Sequence, residues 1–367
     1  MERNIFITGY PGFVGSKVVD LFLDENNPLT RDDTIHIHAL VHEDFYQKTL
    51  CEVSRLSKSL QSRITLIKGD LCKDNFGLHE SEIQALSTAV NEIIHIAAVY
   101  RLDVEETLAY KTNVIGTRNI LSLALRIKTL RTLTHISSII VSGKRRGIIF
   151  EDQLTHDAGF HNHYESTKHY SEVLMEGYKD KLPIVILRPA VIAGDSMTGE
   201  IGKYDGPYYT IKLYHRMRLL PGIFVPLFGA HSCSLLNVVP VDYISKSIVY
   251  ISKQPEAIGR TFHLADKNPL TYHEFFTLVH EKTFGKGRKI SMPLWIEKSM
   301  KWTPLWMARI LGISKTGSMY LNHVSFYDTR NTDEILEGSG ITCPSFISYL
   351  DTMVAFVKNN PKIPMSI

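Results

Sequence analysis

The sequence predicts an α/β protein: a doubly wound parallel sheet with a smaller C-terminal region interleaved with it. Three observations carry this. An N-terminal apolar run breaks into a glycine-rich turn and then into helical spacing. Short apolar runs then recur with enough chain between them for crossover helices. After Arg188-Pro189 the texture changes, and glycine, proline and aromatic residues crowd the chain. At 367 residues the protein exceeds one average domain and is too short for three.

Residues 4–8 read as a buried strand, 9–15 as the turn, and 16–23 as a helix. Strands are expected at 35–41, 64–68 and 92–97, each followed by crossover-length chain. A helix over 112–125, a strand at 133–137, a helix over 164–178 and a strand at 184–187 extend the βαβ pattern, which is that of a Rossmann-type sheet. Residues 194–228 have the composition of long loops. Short strands at 235–239 and 261–264, with a helix over 241–252 between them, are expected to return to the sheet. The expected division is therefore 1–193 with 235–265 for the dinucleotide-binding Rossmann domain, and 194–234 with 266–367 for substrate binding. Residues 346–357 have helical spacing, and the last ten are expected to fray.

The turn reads Thr8-Gly9-Tyr10-Pro11-Gly12-Phe13-Val14-Gly15, a GxxGxxG directly after a strand and at the mouth of a helix. Gly9 and Gly12 let the backbone approach a pyrophosphate, Gly15 lets helix and sheet pack closely, and the helix N terminus supplies oriented N–H groups. Glycines alone are weak evidence; their position makes a dinucleotide the natural ligand. Cofactor choice belongs at the end of the second strand, where an acid bonds a ribose 2′-hydroxyl and a base meets a 2′-phosphate. That strand ends Val41-His42-Glu43, with Lys48 and Arg55 within reach, which favours NADPH while Glu43 keeps NADH open. Asp70, after the third strand, suits an adenine amine or, equally on spacing, a turn.

Tyr164 and Lys168 are four apart, on one helix face. A nearby cation stabilises phenolate, so the tyrosine pKa is expected to fall toward working pH and Tyr164 to move a proton at a carbonyl oxygen; Lys168 also holds ribose hydroxyls. Ser138 follows the fifth strand, and ligands sit at the carboxyl ends of parallel strands, so its hydroxyl reaches the same carbonyl.

Composition excludes several classes. The net charge is +3, with 41 Lys and Arg dispersed among 38 Asp and Glu, so there is no electrostatic footprint for nucleic acid. The four cysteines are far apart, which fits reduced thiols in the cytoplasm better than zinc or disulfides. The sixteen histidines are scattered, and His36 with His38 lies on a strand where alternate side chains pack, so no metal site is expected. No signal peptide or transmembrane run is visible, which leaves peripheral membrane contact open. Trp295, Trp302 and Trp306 recur at helical spacing in 294–313, where a lid, a membrane contact, a dimer face and plain packing all stay open.

Together these residues resemble the extended short-chain dehydrogenase/reductase superfamily, which uses a Ser or Thr, a Tyr and a Lys. His95-Ile96-Ala97-Ala98 resembles its motif beside the nicotinamide-side ribose, Asn113 its structural asparagine, and Arg188-Pro189 the pair preceding the carboxamide site. Gly69-Asp70-Leu71, Phe76-Gly77-Leu78 and the run from His95 to Leu121 are most similar to the thioester reductase and fatty acyl-CoA reductase branch. The chain is expected to depart from carrier-fused members of that branch in having no adenylation or carrier domain, and from many members at His42, where arginine is commoner. The resemblance implies NADPH-dependent reduction of an acyl thioester, or of a lipid-like or polyketide-like ketone or aldehyde. The substrate would be presented by a carrier protein or coenzyme A, to a monomer or homodimer. An epimerase, dehydratase or hydroxysteroid-type dehydrogenase is the enzymatic alternative, and a redox-sensing dinucleotide-binding protein the non-catalytic one.

Overall fold

The computed structural model describes residues 2–218, 233–285, 320 and 323–365. The first half alternates strands and helices. It runs β1 (Glu2–Thr8), α1 (Phe13–Leu23), β2 (Thr34–Val41), α2 (Glu43–Ser54), α3 (Lys58–Gln61), β3 (Ile64–Lys68), α4 (Glu80–Ala89) and β4 (Glu92–His95). There follow α5 (Glu106–Ala109), a π-helical stretch at Tyr110–Ile115, α6 (Gly116–Ala124), β5 (Thr132–Ile136), β6 (Gly147–Ile149), α7 (His163–Glu176) and β7 (Ile184–Pro189). The remainder comprises β8 (Val191–Ala193), α8 (Gly206–Met217), β9 (Leu235–Leu236), β10 (Val238–Pro240), α9 (Val241–Ile251), β11 (Thr261–Leu264), β12 (Leu270–Thr271), α10 (Tyr272–Phe284), β13 (Ser325–Tyr327), α11 (Arg330–Leu336) and α12 (Phe346–Asn359).

Seven strands form one parallel sheet in the order β11-β7-β5-β4-β1-β2-β3. Strand alternation divides its apolar residues between two cores. Ile5 and Ile7 join Val18, Phe22, Ile244 and Ile248 on the α1/α9 side, whereas Phe6 joins Ile93, Ile120 and Met175 on the α6/α7 side. The chain reverses direction of winding at β1, which has β2 on one side and β4 on the other, and a crevice at the carboxyl ends of such strands is where this architecture binds ligands.

Three expectations need correction. Residues 235–240 do not return to the large sheet: β9 pairs antiparallel with β12 and β10 pairs parallel with β8. Asn237 interrupts the run between them, its side-chain amide exchanging two 2.8 Å hydrogen bonds with the Asp266 backbone in place of a strand partner. The stretch 194–228 is not all loop, because α8 lies within it. Pro207 occupies the helix's first turn, where a missing N–H costs nothing, and Tyr208, Ile211 and Tyr214 then bury one face in a third core with Phe275, Tyr349 and Met353. The tail is docked as far as residue 365: the Tyr204 N–H donates to the Pro364 carbonyl at 2.9 Å and its hydroxyl to that of Asn360 at 2.8 Å. Segment 294–313 and its three tryptophans lie outside the described residues.

Candidate active site

The phosphate turn is built by steric necessity. Gly9 has φ +89°, and a Cβ there would sit 2.8 Å from the Ala97 nitrogen; a Cβ on Gly15 would sit 2.3 Å from the Gly9 carbonyl oxygen. Gly12 donates to that carbonyl at 2.8 Å and precedes α1 without a capping side chain, so the N–H groups of Phe13, Val14 and Gly15 meet no side chain among the described residues. This cradle fits a pyrophosphate at a helix N terminus. Phe13 packs against the third core and Val14 against the α1/α9 core, so the turn is anchored from both sides. Lys17 on α1 reaches Glu200 of the 194–200 loop at 3.3 Å.

A buried polar chain ties this turn to the helices beside it. Thr8 and His95 share a 2.8 Å hydrogen bond, His95 and Thr117 one of 3.2 Å, and Thr117 donates to the Asn113 carbonyl at 2.7 Å. Because Thr117 donates onward, it accepts from His95 Nε2–H, which leaves His95 Nδ1 to accept from Thr8. Burial, with the Lys168 cation nearby, holds the His95 pKa down at about 3, so the ring is neutral as this chain requires. Thr8 also accepts from the Ala97 N–H at 3.2 Å, which sets the position of Ala97 and of half-buried Ala98. The Asn113 amide is fully engaged by protein: it accepts from Val99 at 2.9 Å and donates to Val99 and to Thr167 of α7 at 3.2 and 3.0 Å. Its geometry is that of a brace between the β4 loop and α7.

Ser138, Tyr164 and Lys168 meet at the carboxyl end of β5. The expected fall in the Tyr164 pKa is not what the structure shows. Burial pushes it up to about 12, against the neighbouring Ser138 hydroxyl, which favours the ionised form, and with Tyr100 adding to the rise. Burial outweighs every other influence on the phenol, and the Lys168 ammonium donates to the Ile136 carbonyl at 2.6 Å. Tyr164 is therefore a protonated acid. Burial lowers Lys168 to about 8, and Glu172, one turn further along α7, opposes that fall.

Glu172 is fully buried and central to the layer beneath the site. It accepts from the Ser137 hydroxyl, and from Arg188 Nε and Nη2 at 2.8 and 2.5 Å. Arg188 Nη1 donates to the carbonyls of Glu151 and Gln153 and to His263 Nε2 at 3.0 Å, while His263 Nδ1 donates to the Asp328 carbonyl at 2.7 Å. Arg188 is thus part of the scaffold, with its guanidinium directed into protein, and Pro189 offers its carbonyl to Ser138 at 3.5 Å. Sequence reasoning passes over Glu172, although Tyr164, Lys168 and Glu172 continue one spacing of four.

At the adenosine end, Asp70 closes a turn on the Cys72 N–H at 2.9 Å, and Leu71 packs in the α6/α7 core. His42 caps α2, accepting from the Asp44 N–H at 3.3 Å. Burial raises the Asp205 carboxyl to about 6, and Asp205 in turn adds to the upward shift that burial gives Tyr100. Among the described residues no group of three or more His, Cys, Asp or Glu is arranged to hold a metal ion, and no helix is long and apolar enough to cross a membrane.

Comparison with known proteins agrees with this geometry. The R domain that ends the myxalamid PKS-NRPS pathway superposes with a TM-score of 0.77 at 27% identity, over 99% of this chain and 92% of that one. A UDP-glucuronic acid 4-epimerase of Bacillus cereus, solved with NAD, shares the fold at a TM-score of 0.65 and 19% identity, over 98% of each chain. Among sequences, Fatty acyl-CoA reductase 1 of Arabidopsis thaliana is 23% identical over 348 residues, 75% of this chain and 70% of that protein. A linear gramicidin synthase of Brevibacillus parabrevis is 27% identical over 307 residues, 79% of this chain. The chain spans only 6% of that synthase, and 58% of a Drosophila melanogaster relative named for fatty acyl-CoA reduction. The family described as Male sterility protein matches residues 7–248, which include the glycine turn, Ser138, Tyr164 and Lys168, and with two thirds of its length so matched the chain belongs to that NAD-binding family.

Proposed function

We propose that this protein is a nicotinamide-dependent reductase of acyl thioesters that prefers NADPH. The observation that carries the reading is the convergence of a protonated Tyr164, Ser138 and the Lys168 ammonium where β5 meets α7, beside the turn that fits a pyrophosphate. The dinucleotide, when bound, supplies the hydride. Ser138 polarises the substrate carbonyl, and Tyr164 gives its phenolic proton to the carbonyl oxygen as negative charge develops there. A tyrosine held at about 12 remains protonated until that moment, as reduction requires. Lys168 holds ribose hydroxyls, and the Ser138 hydroxyl, which favours the ionised phenol, steadies the phenolate left behind.

On this reading, 1–193 with 235–265 binds the dinucleotide and 194–234 with 266–367 forms the acyl side, with Tyr100 beside Tyr164 and Asp205 beside Tyr100. The acyl group arrives on a carrier protein or coenzyme A, in the cytoplasm. Relatives named for acyl-CoA reduction and for terminal R domains favour this over an epimerase, whose likeness is one of fold alone. Mixing the protein with NADPH and a panel of acyl-CoA and acyl-pantetheine thioesters tests it. Loss of reduced nicotinamide absorbance with matching thiol release is expected. Tight cofactor binding without net consumption for any thioester would overturn it in favour of redox-neutral chemistry.

A further inference from the structure

The charges at the tips of β2 and β3 are arranged differently from what chain position suggests. Lys48 lies on α2 and pairs with Glu52 at 3.7 Å, and Arg55 caps the far end of that helix, ~18 Å from its start at 1.5 Å per residue. His42 has its Nδ1 turned to the N–H of Asp44. The cation beside Glu43 comes from the neighbouring strand. Lys68 is in register with Val41, and its ammonium meets the Glu43 carboxylate at 2.5 Å. The strand end that carries it cannot drift, since Gly69 donates to the Val41 carbonyl at 3.1 Å and a Cβ at Gly69 would sit 2.8 Å from both Leu40 and the Phe76 carbonyl. Both members of the pair are more than half exposed, Lys68 at 53% and Glu43 at 74%. Lys68 holds Glu43 below the usual carboxylate range, so the pair is a full ion pair at neutral pH.

We propose that Glu43 and Lys68 form an exchangeable charge switch that sets the choice between a 2′-phosphate and a 2′-hydroxyl on the bound dinucleotide. This rests on the reading above that the chain binds a nicotinamide dinucleotide. An acid at this strand end bonds a free ribose 2′-hydroxyl, which is the role of Glu43 when NADH binds. With NADPH the same carboxylate repels the phosphate, and Lys68 leaves it for the stronger anion. An exposed ion pair is weak, so this exchange of partners is cheap, whereas a cation on a phosphate makes a charge-assisted bond. The site therefore accepts both dinucleotides, with the ratio set by two residues on different strands.

Calorimetric titration of the full chain with 2′-phospho-ADP-ribose and with ADP-ribose tests this without turnover. Lys68→Gln should weaken the phosphorylated probe about tenfold while moving ADP-ribose by less than about twofold. Glu43→Gln should do the opposite, tightening the phosphorylated probe several-fold and weakening ADP-ribose. Raising salt should weaken the phosphorylated probe more in wild type than in Lys68→Gln. Because both side chains are exposed, an unchanged melting midpoint confirms that the variants fold. Affinity ratios within about twofold of wild type in both variants would overturn the switch and leave the dinucleotide reading intact; wild-type protein that binds neither probe would overturn both.

Discussion

Two carboxylate–cation assemblies in this molecule close at the same distance and stand at opposite extremes of burial. Glu172 and Arg188 meet at 2.5 Å with side-chain exposures of 0% and 1%; Glu43 and Lys68 meet at 2.5 Å with exposures of 74% and 53%. In the first, the Glu172 carboxylate and three guanidinium nitrogens all have protein partners, as ions withdrawn from water must. That pair is architecture: it joins α7 to the end of β5 and to β7, and its partners cannot leave without stranding a charge. In the second, water stands ready to replace either partner. Burial decides whether such a pair holds a site together or answers to a ligand.

The comparison can be broken most severely at the buried end. Tyr164→Phe removes the proton that the layer positions, and turnover should fall by about 10²–10⁴ while the affinity for NADPH stays within a few-fold, read by steady-state kinetics and titration. Next in size, Arg188→Ala leaves Glu172 uncompensated, and denaturant unfolding should show a loss of about 3–5 kcal/mol. If that variant were as stable as wild type, the buried pair would not be architecture at all.

Glu172→Gln keeps the shape and removes the charge, and its signature is a pH profile. Lys168 is held down by burial to about 8, and Glu172 is the group resisting that fall. Neutral His95 and His135 face Lys168 from β4 and β5, and neither supplies a compensating negative charge. The ammonium, and with it kcat/KM, should therefore be lost as pH rises through about 8, and in Glu172→Gln this alkaline limb should move to lower pH. A merely structural role would lower the plateau without moving the limb. The smallest effect belongs to the surface: Lys282, paired with Asp351 between α10 and α12 at 44% and 70% exposure, should lose only about 0–1 kcal/mol on replacement by Ala, measured by the same unfolding experiment.

Much of the central sheet is legible in the sequence because buried parallel strands read as apolar runs and glycine turns punctuate them; β3 falls where the sequence places it, at Ile64–Lys68. The closeness of Tyr164 and Lys168 is legible for a related reason, since the two lie within one helical turn. Helix α8 is hidden because Gly206-Pro207 reads as a break when it is in fact a start. The Tyr164 pKa is misjudged from sequence because spacing shows that Lys168 shares its face, and does not show how deeply the phenol is buried. Lys68 escapes notice because it lies on a different strand from the residues that chain position marks for cofactor choice.

By itself, then, the sequence determined what short-range rules control: the glycine turn after β1, the helix that carries Tyr164, Lys168 and Glu172, and the alternation that sends Phe6 and Ile7 to opposite cores. Only the tertiary structure decided which polar groups meet across elements and how deeply each is buried. Thr8 with His95, Glu172 with Arg188 and Glu43 with Lys68 are pairs separated by 87, 16 and 25 positions. Spacing along a chain fixes direction over one or two turns of helix, whereas the desolvation that sets a pKa or locks an ion pair depends on everything packed around it.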